Sequence, residues 1–340
     1  MFNLQLKSYK MITPSFSITA TERILPRLAL DFTTASLDSR ITFTRSGDTA
    51  TVTNSNGVIT AINANLPRFD YNPTTLVCKG LLIEDTRTNL LLNSLIDGTS
   101  LSTQLVTTAA VANTLSFYGT GEIVLTGTSS ATVVGTGAYP ARTTLTFTPT
   151  VGVLTLTVTG TVQYAQLEAG AFASSFIPTA ASQVTRNVDA AIMTGTNFSG
   201  WYNSTEGAFL AQCIYNSVIS NTIAICTNDG GTANESYLRQ SGSSNQYFYV
   251  IGASAQIATN IGGATANTTQ KLCGTYAANS YAGSSNGGAV ATDNSGNVFS
   301  YTQMNIGSRG NGTQVFTGHI AKIFYWPQRI TNAEVQAFSK

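Results

Sequence analysis

The segment GLLIEDTRTNLLLNS at residues 80–94 places charged side chains between two apolar runs, in a chain where charge is scarce. The apolar residues alternate, so each run can bury one face in a strand. Glu84 and Arg87 fall at the bend between the runs, where they can form a charge-assisted pair, and Asn89 can bind free backbone groups of the turn. We therefore predict a docking element here. An ordinary strand–turn–strand with a surface ion pair remains the alternative.

Groups that could catalyse a reaction are few. The single histidine, His319, lies in an alternating stretch with no implied partner, which argues against a Ser-His-Asp or Cys-His mechanism. Glycosidases need two carboxyl groups roughly 5–9.5 Å apart. The pairs Asp229–Glu235 and Glu206–Asp293 could meet in space, but no E-x-D-x-x-E pattern of the laminarinase type occurs. We predict no catalytic residues and no enzymatic activity.

Metal and cofactor sites are not indicated either. The four cysteines have no C-x-x-C spacing and no histidine companion, so we expect no zinc. Cys213 and Cys226 could face each other across a hairpin, although two small buried hydrophobic residues fit the pattern better. Acidic turns at Asp229 and Asp293 leave a calcium site open, but turns of this composition form without a metal. We predict no cofactor and no metal.

Aromatic residues of the C-terminal segment are the candidates for ligand contact. In QYFYV, alternation places Tyr247 and Tyr249 on one face of a strand and Phe248 on the other. Outward tyrosines could stack on sugar rings, while neighbouring amides bind hydroxyl groups; packing between sheets or against another subunit is the alternative. The candidate glycan-binding residues are Tyr247, Tyr249, Asn245, Gln246 and Trp201.

Composition excludes several classes of partner. The formal net charge is +1 and 10% of the residues are charged, so no basic surface for nucleic acid or anionic membrane is indicated. The apolar runs are shorter than the ~20 residues of a membrane span, and the N-terminus lacks the pattern of a signal peptide. We expect synthesis in a cytoplasm, no nucleic-acid binding and no membrane insertion.

The elements that must position these residues are strands. Apolar residues alternate with threonine in TLTFTPTVGVLTLTVTGTVQYAQLE, and turn clusters such as TNSNG separate similar runs, which is typical of antiparallel sandwiches and jelly rolls. Thr331 and Glu334 form a capping box that predicts a short C-terminal helix. We predict an all-β fold with these segments: an arm at 1–30, a small β attachment unit at 31–95, a jelly-roll sandwich at 96–180, a connector at 181–194 and a second sandwich at 195–340.

Several motifs resemble those of known proteins. Phe43–Gly47, the Arg-Phe-Asp of residues 68–70 and the 80–92 motif resemble a module of tailed-bacteriophage virion proteins, described as head-spike, head-fibre or tail-fibre proteins. QLEAGAFASSFIPT resembles the closing strand of carbohydrate-binding-module-like jelly rolls. FTGHIAKIFYWPQRITNAEVQAF is similar to the end of concanavalin A-like lectin domains, which implies that fold for residues 195–340.

The resemblance implies a structural protein of the virion surface, made in the cytoplasm of the host, as a capsid decoration or as a fibre or spike of head or tail. Other virion proteins would be partners, host glycans would be ligands, and a homotrimer would be the assembly state. The residues that it assigns to docking and assembly are Glu84, Arg87, Asn89, Arg68 and Asp70. A polysaccharide-degrading tailspike and a stand-alone glycan-binding lectin module remain the alternatives, and head or tail location stays open.

Overall fold

The computed structural model describes residues 25–47, 49–218, 221–252 and 255–340. It is nearly all-β, with 47% of residues in strands and 5% in helices. This confirms the all-β fold class predicted from the period-2 alternation. Every strand pairing in the described ranges is antiparallel. Most of the predicted N-terminal arm, residues 1–24, lies outside the described residues.

The described elements, in chain order, fall into three groups. Those before residue 95 are β1 (Leu28–Asp31), a 3₁₀ helix (Phe32–Thr34), β2 (Thr42–Thr44), β3 (Ala50–Thr53), β4 (Ile59–Ile62), β5 (Phe69–Tyr71), β6 (Cys78–Ile83) and β7 (Arg87–Asn89). Those of the middle segment are β8 (Gln104–Thr108), β9 (Asn113–Tyr118), β10 (Glu122–Gly127), β11 (Ala131–Val134), β12 (Thr143–Phe147), β13 (Gly152–Thr159) and β14 (Gln163–Ala169).

The C-terminal group is longer. Its members are β15 (Val184–Arg186), β16 (Ala190–Thr194), α1 (Thr196–Ser199), β17 (Glu206–Tyr215), β18 (Thr222–Asn228), β19 (Glu235–Gln240), β20 (Asn245–Ile251), β21 (Ala255–Gly263), β22 (Thr269–Ala277), β23 (Ser280–Ser285), β24 (Ala291–Asp293), β25 (Gln303–Ile306), β26 (Gly318–Trp326) and α2 (Asn332–Phe338).

Two sheets form a large sandwich. One has the order β24-β23-β22-β17-β26-β6-β5, with β1 also paired to β26, and the other has the order β2-β16-β25-β18-β19-β20-β21. Side chains from both inner faces share one core, to which Leu81 of β6, Met193 of β16 and Phe248 of β20 contribute. Burial of these apolar side chains is the main source of the sandwich's stability.

Strands from the N-terminal third complete this sandwich. β26 pairs with β6 along its first half, Ile320 opposite Leu81, and with β1 along its second half, Tyr325 opposite Leu28. β2 extends the other sheet through β16. The predicted separate unit at 31–95 and the predicted end of the arm at residue 30 are therefore corrected, because their apolar faces are buried in the C-terminal sandwich. Among these elements, the β3–β4 hairpin forms a sheet of its own.

A small sandwich is inserted between β6 and β16. Its sheets, β11-β10-β13-β8 and β12-β9-β14, use strands from within the predicted segment 96–180. Leu91, which precedes that segment, is buried in the same core as Leu115 and Leu167. The chain enters and leaves the insertion through β7 and β15, which pair side by side with Arg87 opposite Arg186.

Helix α2 covers the outer face of one sheet. Its capping box has the predicted geometry, with Glu334 N donating to the Thr331 hydroxyl and the Glu334 carboxylate accepting from Thr331 N. Val335 is fully buried in a cluster with Trp326 and Ile330. Within the described ranges, no helix combines the length and apolarity needed to cross a membrane.

Candidate functional site

Glu84 lies in a buried ionic cluster at the base of the small sandwich. Its carboxylate accepts from Arg68 Nη1 at 2.8 Å and lies 3.1 Å from Arg186 Nη1; both arginines and Glu84 have no exposed surface. Burial alone raises the pKa of Glu84, but the two guanidinium charges outweigh it and lower that pKa well below its usual value. Glu84 is therefore ionised and fully paired inside the chain.

Asp189 completes the cluster from the returning segment. Its carboxylate pairs with Arg68 and, at 3.1 Å, with Arg45, and it also accepts from the backbone N of Glu84 at 2.9 Å. We call Arg45, Arg68, Glu84, Arg186 and Asp189 the base cluster. Asp189 and Arg186 belong to no motif in the sequence. The TRNVD segment that contains both was predicted only as part of a connector.

The predicted Glu84–Arg87 pair is wrong. The ion pair of Arg87 in the described structure is with Glu168, at 3.6 Å, and its guanidinium lies 5.2 Å from the centre of the Phe172 ring. β7 directs Arg87 toward the small sandwich, whereas Glu84 faces the base cluster. Arg186, which stands opposite Arg87 in the β7–β15 ladder, is the arginine that pairs with Glu84 instead.

Asn89 satisfies backbone groups, in agreement with the chemistry predicted for it. It is fully buried and its amide donates to the carbonyl oxygens of Ala165 and Ile177, at 3.2 and 2.9 Å. Its side-chain oxygen accepts from the backbone N of Leu91 and of Leu167, at 3.1 and 3.2 Å. One side chain thus connects the entry strand to two segments of the small sandwich.

Asp70 lies apart from the base cluster, on β5. Its carboxylate binds His319 Nε2 at 2.8 Å and the ammonium of Lys79, and accepts from Thr53 N at 2.7 Å. Burial raises its pKa, but the hydrogen bond from His319 and the charge of Lys79 outweigh burial and lower the pKa to about 2. No sequence signal linked Asp70 to His319, which follows it by 249 positions.

These positions correct the predicted docking role. Arg68, Glu84 and Asn89 have no exposed surface and Asp70 is 7% exposed, so their partners are other residues of this chain. A side chain without exposed surface cannot contact a second protein while the fold is intact. Arg68 and Glu84 instead join the large sandwich to the segment that returns from the small one. Asn89 bonds within the small sandwich, and Asp70 joins β5 to β26 and to the β3–β4 hairpin.

An aromatic cluster lies on the outer face of β19 and β20, with Tyr237 buried and Tyr247 and Tyr249 half-buried. Tyr237 stands opposite Tyr249, and Arg239 stands opposite Tyr247. The Tyr237 and Tyr249 rings stack at 5.1 Å, and the Tyr247 ring lies 5.4 Å from that of Tyr249. Leu238 and Phe248 point to the core instead, so the alternation predicted for this strand is confirmed. We call Tyr237, Arg239, Tyr247 and Tyr249 the Tyr–Arg face.

Arg239 covers two of the rings. Its guanidinium carbon is 4.4 Å from the centre of the Tyr249 ring and 5.8 Å from that of Tyr247, and Nη2 lies 3.3 Å from the Tyr249 hydroxyl. Nε has no hydrogen-bond partner among the described residues. Arg239 and Tyr237 were not among the residues predicted from the sequence, although the alternation in ESYLRQ places them on one face of β19.

Of the three remaining candidates for glycan contact, Asn245 lies beside this face, whereas Gln246 and Trp201 do not. Asn245 is half-buried and has the same parity on β20 as Tyr247. Gln246 is fully buried and its amide lies 3.4 Å from Gln270 Oε1. Trp201 is 2% exposed, with Nε1 donating to the Asn197 carbonyl. The predicted sugar contacts of Gln246 and Trp201 are corrected, because both side chains pack inside the sandwich.

The acids near this face have partners of their own. Both oxygens of Glu235 are bonded, Oε2 to Arg309 Nε at 2.7 Å and Oε1 to Gly310 N at 3.1 Å. Asp229 accepts from Gly231 N and from the Asn234 amide, which is turn chemistry. Within the described ranges, no group of three or more His, Cys, Asp or Glu side chains could hold a metal. All four cysteines are free and buried.

Comparisons with known proteins give distant matches of shape alone. No protein-family model matches the sequence, and no curated protein matches it. A Ruminococcus gnavus sialidase CBM40 bound to α2,3-sialyllactose is 12% identical, with a TM-score of 0.38 over 42% of this chain and 86% of that one. A heptameric SAP-like pentraxin from Limulus polyphemus is 10% identical, with a TM-score of 0.31 over 40% of this chain and 70% of that one.

Proposed function

We propose that this chain is a structural protein of a tailed-phage particle surface, a spike, fibre or decoration of head or tail, and that it binds glycans without cleaving them. The observation that carries the glycan part is the Tyr–Arg face, where the Arg239 guanidinium lies 4.4 Å from the Tyr249 ring. The particle part is supported by the sequence motifs at residues 43–47, 68–70 and 80–92.

The chemistry of this face suits a sugar. The face of an aromatic ring carries partial negative charge and attracts the slightly positive C–H groups on one side of a pyranose. Tyr247 and Tyr249 are half-buried, so part of each side chain is exposed to a ligand. Arg239 supplies N–H donors next to the rings, and Asn245 at the start of the same strand adds an amide.

The hydrogen bonds of Glu235, the acid nearest to this face, favour glycan binding over hydrolysis. A glycosidase needs a carboxyl group that can donate a proton and a second one as base or nucleophile. Both oxygens of Glu235 are already hydrogen-bonded to Arg309 and Gly310. Neither oxygen of Glu235 is therefore free to contact a glycosidic bond.

Assembly into a homotrimer belongs to the same proposal. Leu105 on β8 and Val153 on β13 are 67% and 52% exposed and are diagonal neighbours in the β8–β13 ladder. Exposed apolar neighbours on an otherwise threonine-rich sheet supply the kind of surface that contact between copies would cover. Light scattering of the purified chain tests this, with three times the monomer mass as the expected result.

A glycan array probed with the full chain and with Tyr249→Ala tests the binding part. Removal of the ring should reduce the signal at least tenfold, because it removes the stacking surface and releases Arg239. Tyr71→Ala is the matched control, since Tyr71 is a half-buried tyrosine on β5, away from this face. Equal loss in both variants, or no glycan bound by the full chain, would contradict the proposal.

The particle part needs its own experiment. An antibody against residues 195–340 should label purified particles of the phage that encodes the chain, on the head or on the tail. Incubation of the chain with host polysaccharide should leave the polymer length unchanged. Particles without label, or shortened polysaccharide, would favour the stand-alone lectin or the tailspike enzyme respectively.

A further inference from the structure

A second candidate site lies where three parts of the chain meet. A cleft of about 500 Å³ is formed by the small sandwich, the β3–β4 hairpin and the large sandwich. Small-molecule sites have volumes of roughly 300–1,000 Å³. We call it the junction cleft; the lining residues used below are Thr53, Asp70, Lys79, Tyr118, Tyr139, Arg142 and His319.

Arg142 brings a positive charge to this cleft without an acid to balance it. Its Nη1 donates to the Ser174 carbonyl at 2.7 Å and its Nη2 to the Ser116 hydroxyl at 2.8 Å. None of the ion pairs in the described residues involves Arg142, and its buried Nε has no hydrogen-bond partner there. A guanidinium held in this way is suited to an anionic group.

His319 brings a hydrogen-bond acceptor. Because the Asp70 carboxylate is ionised and can only accept, His319 Nε2 must carry the proton of the 2.8 Å bond between them. Burial lowers the pKa of His319, so at neutral pH the ring is neutral and Nδ1 has a free lone pair. Nδ1 has no partner among the described residues although His319 is 4% exposed. A ligand hydroxyl would satisfy it.

Aromatic rings form the wall on the side of the small sandwich. Tyr118 and Tyr139 pack edge to face at 5.1 Å, and the Arg142 guanidinium lies 5.9 Å from the centre of the Tyr118 ring. The Tyr139 hydroxyl is 3.0 Å from that of Thr53 on the β3–β4 hairpin. A ring wall, an acceptor that needs a hydroxyl and an unbalanced cation therefore line one cavity.

We propose that the junction cleft binds an acidic saccharide, with Arg142 on the carboxylate, His319 Nδ1 on a hydroxyl and Tyr118 with Tyr139 against the sugar ring. This site is separate from the Tyr–Arg face and goes beyond the glycan binding proposed there. A carboxylated sugar is the class of ligand that carries all three features at once. Lys79, paired with Asp70 at the same cleft, adds a second cation for a longer acidic chain.

Titration calorimetry of the full chain with trigalacturonate and with galactotriose tests the proposal. The two probes differ in the carboxylate at C6, so the acidic trisaccharide should bind at least tenfold more tightly. Arg142→Gln should abolish this preference. Because the change also removes the hydrogen bonds to the Ser174 carbonyl and the Ser116 hydroxyl, circular dichroism at the titration temperature checks that the variant is folded. His319→Gln, which keeps a donor near the Nε2 position, should weaken binding of both probes.

Tyr249→Ala separates this site from the Tyr–Arg face. It should leave trigalacturonate binding unchanged, and a loss in this variant would overturn the assignment to the junction cleft. Equal affinity for the two probes, no binding of either, or wild-type binding by Arg142→Gln would also overturn it. If His319→Gln fails to fold, Arg142→Gln and the two probes still decide the outcome.

Discussion

Glu84 and Asp189 bond to each other across the base of the small sandwich. The backbone N of Glu84 donates to the Asp189 carboxylate at 2.9 Å, and the backbone N of Asp189 donates to the Glu84 carbonyl at 3.1 Å. One residue lies where the chain leaves the large sandwich and the other where it returns, 105 positions later. This reciprocal pair closes the inserted sandwich at its base.

Arg68 lies between these two acids. It pairs with Glu84 at 2.8 Å and with Asp189, so one guanidinium neutralises the outgoing and the returning segments together. Buried ion pairs of this kind fix geometry more than they add stability. The position of the small sandwich, and with it the junction cleft, therefore depends on the base cluster.

Arg68→Met should destabilise the protein strongly. The change leaves Glu84 and Asp189 with one fewer cation in a site without exposed surface, and breaking a buried pair costs about 3–5 kcal/mol. Urea unfolding followed by fluorescence measures the loss. Arg40→Met is the matched control, because the pair of Arg40 with Asp38 is partly exposed and such pairs contribute about 0–1 kcal/mol. Equal losses in the two variants would contradict the role given to the base cluster.

Acid should weaken the fold through Asp70. Its pKa in the folded chain is about 2, below the roughly 3.9 of an unfolded aspartate, so its contribution is present above pH ~4 and is lost as the pH falls toward 2. The contribution is about 3 kcal/mol, because the folded and unfolded pKa values of Asp70 differ by nearly two units of ~1.4 kcal/mol each. Glu84, whose pKa is also lowered, adds a loss of the same sign. Unfolding midpoints measured between pH 2 and 6 should show a shallower decline in Asp70→Asn, and an identical decline would contradict this.

Local sequence patterns predicted much of the fold, but they did not indicate which side chains far apart in the sequence contact each other. Alternation identified the strands and the outward Tyr247 and Tyr249, and Thr331 with Glu334 identified the last helix, because each pattern depends on residues a few positions apart. The base cluster joins Arg68 to Asp189, 121 positions away, so nothing near Glu84 indicated its partners. Arg87 is the cation nearest to Glu84 in the sequence, but its ion pair is with Glu168.

Arg239 and Tyr249 should show a measurable coupling. The guanidinium lies 4.4 Å from the ring centre at a partly exposed place, where cation–π contacts contribute about 0.5–1 kcal/mol. A double-mutant cycle with Arg239→Met and Tyr249→Leu should return a stability coupling of that size. The same cycle with Tyr71→Leu in place of Tyr249→Leu is the control and should return a value near zero.

Thr331→Ala should loosen helix α2 without unfolding the sandwiches. It removes the hydroxyl that accepts from Glu334 N at 3.2 Å, and loss of such a cap costs about 0.5–2 kcal/mol. Hydrogen exchange should become faster in residues 332–338 and stay unchanged in β17. Thr331→Ser keeps the hydroxyl and should exchange like the wild type; faster exchange in that variant would show that the cap hydrogen bond is not the cause.

Gly80→Ala should disrupt the contact between β6 and the last strand. Gly80 has a φ of +114°, and a Cβ there would meet the Ile320 carbonyl oxygen and lie 2.8 Å from Ala321 Cα, so both the backbone conformation and the pairing with β26 are strained. Gly195→Ala is the control, since Gly195 has a φ of +57° and no atom within 4 Å of the added Cβ. Strained conformations cost about 1–3 kcal/mol each, so the control should lose about 1 kcal/mol in urea unfolding and Gly80→Ala clearly more. Equal losses would mean that β26 moves away from β6 at little cost, and the N-terminal strands would then not be a fixed part of the large sandwich.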